Sequence, residues 1–413
     1  MTKEKTVVGL DIGTANIRVV VAERGTEEEG PRVIGFGKAP SAGIRKGVVV
    51  DVDELVESLS GALDNAEQMT GVPIERATVS LGGTHITADK SQGVIAVSRA
   101  DGEISEDDVT RVINAAQAIS LPSNKEIIHV IPKDFKVDDQ EGIKDPVGMN
   151  GVRLEVNAYI IEGSTPFIRN LSKCVYRAGV DIESFVLAPL AAGEAVLSKR
   201  QKELGTALVD IGGDITGIAV FEDRDLLYTA VLPVGAAHIT NDIAIGLRTS
   251  IDIAEKVKLE YGIALPSEVS KKEEIDLAEL GESEEGNVSR HHVAEIIEAR
   301  LEEIFKMVDE ELKKIERGGL LPGGVVLTGG GAKMPGIVDL AKKSLHLPVQ
   351  VGFPLELSGM PEKINDPEFA TALGLILWEI EEKGYGGSSV SFSVTAAKET
   401  VGRIRDWFKK FLP

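Results

Sequence analysis

The sequence predicts an α/β fold made of two related halves, with a small α+β subdomain inserted into the first half and an amphipathic helix at the C-terminus. Three observations carry this. Strand-like and helix-like segments alternate along most of the 413 residues, the pattern of layered α/β domains. VVGLDIGTANIRVVVAE and TALVDIGGDITGIAVFE repeat one design in two distant parts of the chain: apolar strand, Asp-Ile-Gly, tight turn, returning apolar strand. Residues 84–163 interrupt the alternation with short strands and a single helix.

Composition narrows the class of protein. The chain carries 45 Lys and Arg against 66 Asp and Glu, a net charge of −21. That weighs against nucleic acid as a partner, because phosphate backbones need a basic surface, but it leaves room for a nucleotide in a local site. The single cysteine, Cys174, cannot form an internal disulfide and reads as a small buried apolar side chain, so a reducing cytoplasm is the expected compartment. The N-terminus runs straight into a strand pattern, so no signal peptide is expected. No apolar run approaches the ~18 residues of a membrane span.

The elements follow in order. TVVGLDIG and IRVVVAE read as two strands around a glycine turn. DELVESLSGALDNAEQMTG is a helix stopped by Gly71, and RATVSLGG a further strand. In the inserted stretch, GVIAVS and EIIHVIP are strands and SEDDVTRVINAAQAIS is a helix capped by Ser105 with Asp108 three residues on. TPFIRNLSKCVYRAG is a helix with Pro166 in its first turn, and DIESFVLAPLAAGEAVLSKRQ is strand then helix. A glycine-rich strand pair spans 207–232, and helical stretches are expected over 237–261 and 289–317. The acidic segment between them reads as a solvated loop. GGVVLTGGGAKMPGIVDLAKKSLHLPVQVG is strand, glycine turn, helix, strand, and DPEFATALGLILWEIE a last helix. KGYGGSSVSFSVTAAKE is a linker by composition.

The glycine turns carry the chemistry. Glycines let backbone N–H groups approach an anion without Cβ atoms in the way. Two such turns facing each other would hold a polyphosphate from both sides. Asp11 and Asp210, one at each strand end, would hold Mg²⁺ through water, since this ion keeps much of its hydration shell. Gly329, Gly330 and Gly331 leave a strand and are expected to lead into a helix whose N-terminus adds positive potential. Neither a P-loop nor a G-x-G-x-x-G follows a strand here. His291 and His292 are adjacent and point to different sides of a helix, so they do not share a metal.

Three glycine elements in this order resemble the two phosphate motifs and the adenosine motif of the actin/DnaK ATPase superfamily. The stretch IIHVIPKDFKVDDQEGIKDPVGMNGVRLEV, together with VVLTGGGAKMPGI and the basic C-terminal helix, resembles one branch, the FtsA family of bacterial cell division, over nearly the whole chain. The resemblance implies an actin-like, duplicated ribonuclease-H-like fold. Its first domain would comprise 1–83 and 164–205 with the returning helix 366–382, and its FtsA-type insertion 84–163. The second domain would have a core of 206–247 and 323–365 and an outer subdomain 248–322. A linker, 383–397, and a membrane-targeting helix, 398–413, would follow.

The resemblance also assigns a site. Asp11, Gly13, Thr14, Ala15 and Asn16 would form the first phosphate loop; Asp210, Gly212, Gly213, Asp214 and Thr216 the second. Glu255 and Lys258 match an E-x-x-K helix that, with Gly329, Gly330, Gly331 and Lys333, would contact the adenosine of ATP. Arg300 falls where the family binds the C-terminal peptide of FtsZ. The chain departs from relatives at Asp214 and Ile215, where many have glycine and threonine. A carboxylate there is unhelpful to a terminal phosphate unless it points away or faces Mg²⁺. Ala188 stands where DnaK-type chaperones carry a glutamate that orients the attacking water, so tight ATP binding with weak or negligible hydrolysis is expected.

The tail ETVGRIRDWFKKFLP fits that reading. Val401, Ile404, Trp407, Phe408, Phe411 and Leu412 form one apolar stripe at helical spacing, flanked by Arg403, Arg405, Lys409 and Lys410. This is the design of a helix lying among acyl chains and anionic headgroups. The expected role is an ATP-binding, polymerising protein, peripheral on the cytoplasmic face of the membrane at the division site, tethering FtsZ filaments and recruiting later divisome proteins. The alternatives are a pilus-assembly relative of the same fold, a superfamily small-molecule kinase and a DnaK-type chaperone. The tail argues against the first two, and no peptide-binding β domain follows for the third.

Overall fold

The computed structural model describes residues 6–25, 30–99, 101–118, 121–281, 286–383 and 392–393. Its first half opens with β1 (Thr6–Ile12), β2 (Asn16–Glu23) and β3 (Arg32–Pro40), then a short hairpin, β4 (Ile44–Arg45) and β5 (Val48–Val49). Helix α1 (Val52–Thr70) follows, started by Asp51, whose carboxylate accepts from Asp53 N and Glu54 N, and ended by left-handed Gly71. It covers the sheet with Leu55, Leu59, Ala62 and Leu63. β6 (Arg76–Leu81) completes this run.

The insertion contains β7 (Thr87–Ala96), α2 (Glu106–Gln117), β8 (Lys125–Val137), β9 (Gln140–Ile143) and β10 (Arg153–Ser164). Ser105 and Asp108 form a reciprocal capping box at the start of α2. β8, β10 and β7 pair antiparallel in that order, with β9 on β8. The subdomain has its own apolar cluster around Val112, Val130, Leu154 and Val156.

The main pattern resumes with α3 (Thr165–Arg177), β11 (Asp181–Leu187), α4 (Ala188–Val196) and α5 (Lys199–Leu204). The second half follows with β12 (Thr206–Ile211), β13 (Thr216–Glu222), β14 (Asp225–Leu232), α6 (Ala236–Leu247), α7 (Ile251–Tyr261), β15 (Glu274–Asp276), β16 (Asn287–Ser289) and α8 (Arg290–Lys314). β17 (Val325–Thr328), α9 (Ile337–Leu345) and β18 (Val349–Val351) complete it, and α10 (Ala370–Lys383) returns to pack on α4 and β1. Two residues beyond, β19 (Phe392–Ser393), pair with β8 at Val130 and His129. They fall within the stretch read as linker. The rest of that stretch after Lys383, and every residue of the expected membrane helix, lie outside the described residues.

The duplication is visible in the sheets. The first runs β11-β6-β1-β2-β3 and the second β14-β13-β12-β17-β18. Each has an antiparallel three-stranded edge, with β1 and β12 joined in parallel to the strands that follow. Asp11 pairs with Arg18 across the first hairpin, and Asp210 with Gly217 across the second.

Two expectations about helices need correction. The stretch 237–261 is two helices, because Arg248 takes a left-handed conformation (φ 58°) and Ser250 caps a new start. The glycine turn at 329–331 does not feed a long helix. It opens a short 3-10 turn, Gly330–Lys333, and α9 begins only after Pro335 and left-handed Gly336, so the N-terminus of α9 is not at this turn.

Candidate functional site

The two hairpin turns meet. Thr14 Oγ1 accepts from Asp214 N at 3.0 Å, and a Cβ on Gly213 would stand 2.8 Å from that oxygen and 3.2 Å from Ala15 Cβ. Only glycine allows this approach. The turns are held from behind. Ile12 N donates to Ser80 Oγ on β6, and Ser80 Oγ donates to Asp11 Oδ1, both at 2.9 Å. Ala236 N and Ala237 N, at the start of α6, donate to Gly212 O and Gly213 O at 2.8 Å.

Asp11 and Asp210 lie close enough to feel each other. Burial, then the charge of Asp11, pushes the Asp210 carboxyl up to about 6. Burial raises Asp11 as well, opposed by the Arg18 guanidinium, whose Nη1 lies 3.6 Å from Asp11 Oδ2. Two desolvated carboxylates at the base of one cleft are an environment that a cation relieves. Among the described residues no group of three or more His, Cys, Asp or Glu side chains could hold a metal, so further ligands would come from water and phosphate oxygens.

The third glycine turn packs on the second hairpin. Gly329 (φ 80°) lies so near Asp210 that a Cβ would sit 2.2 Å from Oδ1. Gly331 is against Ile211, whereas Gly330 has nothing within 4 Å of its would-be Cβ and borders open space. Lys258 and Glu255 on α7 are joined at 2.6 Å, and Lys258 Nζ also donates to Thr240 Oγ1 at 2.8 Å and Ala236 O at 3.5 Å. The pair is therefore tied to the first turn of α6, which itself rests on the second hairpin.

Other residues named from the sequence sit differently. Thr216 is fully buried and donates to Val234 O at 2.8 Å, so its hydroxyl does not reach the cleft. Asn16 closes the first turn at the start of β2. Lys333 is committed to Asp366 Oδ2 at 2.6 Å and Glu368 Oε1 at 2.9 Å. The Asp214 carboxylate is already engaged with the first half: its Oδ2 accepts from Lys46 N at 3.1 Å. Ala188 opens α4 beside Gly82 and offers no polar group. Remote from the cleft, Arg300 on α8 grips Asp242 on α6 at 2.6 and 2.9 Å. Exposed Ile245 lies one turn further along the Asp242 face of α6.

Sequence reading missed the charges at the floor. Glu368 accepts from Arg18 and Lys38 at 2.7 Å and from Lys333. Burial alone would raise its carboxyl, but the hydrogen bonds from Arg18, Lys38 and Lys333 outweigh it and hold the group far below the usual carboxylate range. Arg18 was findable, since a four-residue turn sets it opposite Asp11. Glu368 was not, because 350 residues separate it from Arg18.

Residues 207–374 match the family model for "Cell division protein FtsA", and 83–162 match "SHS2 domain inserted in FTSA". The chain is 43% identical over 396 residues to the cell division protein FtsA of Bacillus subtilis, covering 95% of this chain and 88% of the relative. It is 37% identical to that of Pseudomonas aeruginosa, covering 99% and 97%, and 34% identical to that of Escherichia coli, covering 99% of each. Among solved structures, the PilM-PilN type IV pilus biogenesis complex superposes with TM-score 0.65 at 17% identity, covering 91% of this chain and 98% of that one. MreB 5 of Spiroplasma citri bound to AMPPNP gives TM-score 0.54 at 14% identity, with 92% and 97% covered. These last two show the fold alone, which is actin-like. Near-full-length identity to the curated relatives shows more: the chain belongs to the FtsA family of cell division proteins.

Proposed function

We propose that this chain is an ATP-binding, actin-like division protein that polymerises and tethers FtsZ filaments to the cytoplasmic face of the membrane. The observation that carries the nucleotide part is the pair of hairpins in contact through Thr14 and Asp214 N, with Asp11 and Asp210 at their base. The backbone of 13–16 and 212–214 would take the phosphates, with Mg²⁺ held by Asp11 and Asp210 through water. Glu255, Lys258 and the open face of Gly330 would border the nucleoside. The fold likeness to an AMPPNP-bound MreB supports a nucleotide in this cleft. Mg²⁺ supplies charge neutralisation for the phosphates; the chain's own residues orient them. Ala188 orients no water, so turnover is expected below about one per second.

The membrane part rests on the tail's apolar stripe and its four basic residues, and the FtsZ part on Arg300. An acidic peptide would compete with Asp242 for the guanidinium while using Ile245 as an apolar contact. Self-association and later divisome partners belong to the same reading. Among the described residues no helix is long and apolar enough to cross a membrane, which suits peripheral attachment.

Liposome sedimentation tests it. The full chain should pellet with anionic vesicles and carry the FtsZ tail peptide with it. A chain ending at Ala397 should remain in the supernatant, and Arg300→Glu should pellet without the peptide. Equal pelleting of both chain lengths contradicts the tether, and undiminished peptide capture by the Arg300 variant contradicts that contact. Phosphorylation of added sugars would favour the kinase alternative.

A further inference from the structure

Asp214 is a carboxylate in a turn that would serve an anion better without one, and its bonds explain what it does there. Its Oδ2 accepts from Lys46 N at 3.1 Å, in the turn between β4 and β5 of the first half. Its own N–H donates to Thr14 Oγ1 at 3.0 Å, on the first hairpin. One residue of the second half thus bonds two separate turns of the first.

The Lys46 N–H is a fixed donor. Lys46 is left-handed (φ 48°) and Gly47 follows at φ 76°. Gly47 packs so tightly that a Cβ would lie 2.1 Å from Gly82 O, and a Cβ on Gly82 would in turn lie 3.2 Å from Ile215 Cδ1. The backbone of the first half therefore fixes where this amide points. A backbone N–H and a threonine hydroxyl are also the kinds of group that bind a phosphate oxygen.

We propose that Asp214 is a positioning residue that joins the two halves at the phosphate end of the cleft, its carboxylate taking an amide that a terminal phosphate could otherwise use. Closure in this chain then does not depend on the terminal phosphate. A ligand shifts an open–closed equilibrium only by its differential affinity for the two states. Where Asp214 already favours the closed state, nucleoside diphosphate and triphosphate find the same arrangement. The inference rests on reading the cleft as a nucleotide site.

Hydrogen exchange of the full chain tests it, read at the Lys46 amide in a peptide covering 44–50, away from the phosphate-binding amides of 13–16 and 212–214, with no nucleotide, with Mg–ADP and with Mg–ATP. Wild type should give the same protection in all three conditions. Asp214→Gly should exchange about tenfold faster without triphosphate, the scale of one lost charge-assisted hydrogen bond, and recover only with Mg–ATP. Asp214→Asn, which keeps an acceptor oxygen, should fall between and serves as the test should the glycine variant fail to fold. Wild type that loses protection without triphosphate overturns the proposal, as does a variant that matches wild type throughout. Calorimetry on the same samples separates the two readings: if neither nucleotide binds, the nucleotide assignment fails, while the nucleotide-free comparison still decides what Asp214 holds.

Discussion

Asp210 is the residue whose environment asks most for a ligand. Its folded pKa of about 6 lies above the ordinary value of 3.8. Above pH 6 the charged form therefore costs stability, and the cost shrinks as pH falls through 6 and is gone only below 3.8, where the proton is bound in both folded and unfolded states. Asp210→Asn should raise nucleotide-free stability at pH 7 by about 1–2 kcal/mol, measured by urea unfolding. The same change should weaken the Mg²⁺ dependence of ATP affinity, leaving Asp11 as the one carboxylate beside the ion. In wild type that dependence should weaken below pH 6, because a protonated carboxyl no longer attracts the ion.

Glu368 has the opposite sign. Its folded pKa is depressed below the ordinary 4.5, so its contribution is full above pH 4.5 and is lost as pH falls below that value. Glu368→Gln leaves Arg18, Lys38 and Lys333 crowded without their shared anion. It should cost about 2–3 kcal/mol at pH 7 and flatten the acid limb of the stability–pH curve. The aspartates were legible because each ends an apolar strand before a glycine. Glu368 was illegible because its partners come together only when α10 returns across the first sheet.

At the scale of elements, strand–turn–strand hairpins and capped helices were readable because their signals are local. Ser105 with Asp108, Gly71 and Pro166 each act within a few residues of themselves. The break at Arg248 was missed because left-handed arginine carries no compositional mark, and the course of 329–337 because a glycine run does not say which helix type follows. The hairpins themselves admit a direct test. Gly213→Val would drive Cβ into Thr14 Oγ1, 2.8 Å away, and push the turns apart. ATP affinity should fall at least about tenfold, measured by calorimetry, with far-UV dichroism unchanged. An unaltered affinity would mean that the turns do not face the ligand.

For the whole molecule, duplication explains why one cleft exists. Two sheets of the same strand order bring their first hairpins together, and α10 and Glu368 tie the halves at the floor while Asp214 ties them at the phosphate end. The insertion keeps a separate core and leaves this arrangement intact. Electrostatics set the terms of membrane attachment: the body is acidic and the tail basic, so vesicle binding should fall steeply between 50 and 500 mM salt, about the range over which screening shortens from ~14 to ~4 Å, and should vanish on neutral lipid. Sedimentation at the two salt concentrations reads this out.

The central claim is that one triphosphate lies between the two hairpins. A crystal structure of the chain with Mg²⁺ and a non-hydrolysable ATP analogue tests it most directly. The account predicts phosphates against the backbone of 13–16 and 212–214, with the ion beside Asp11 and Asp210. Ordered analogue bound anywhere else, with these turns still in contact only with each other, would contradict it.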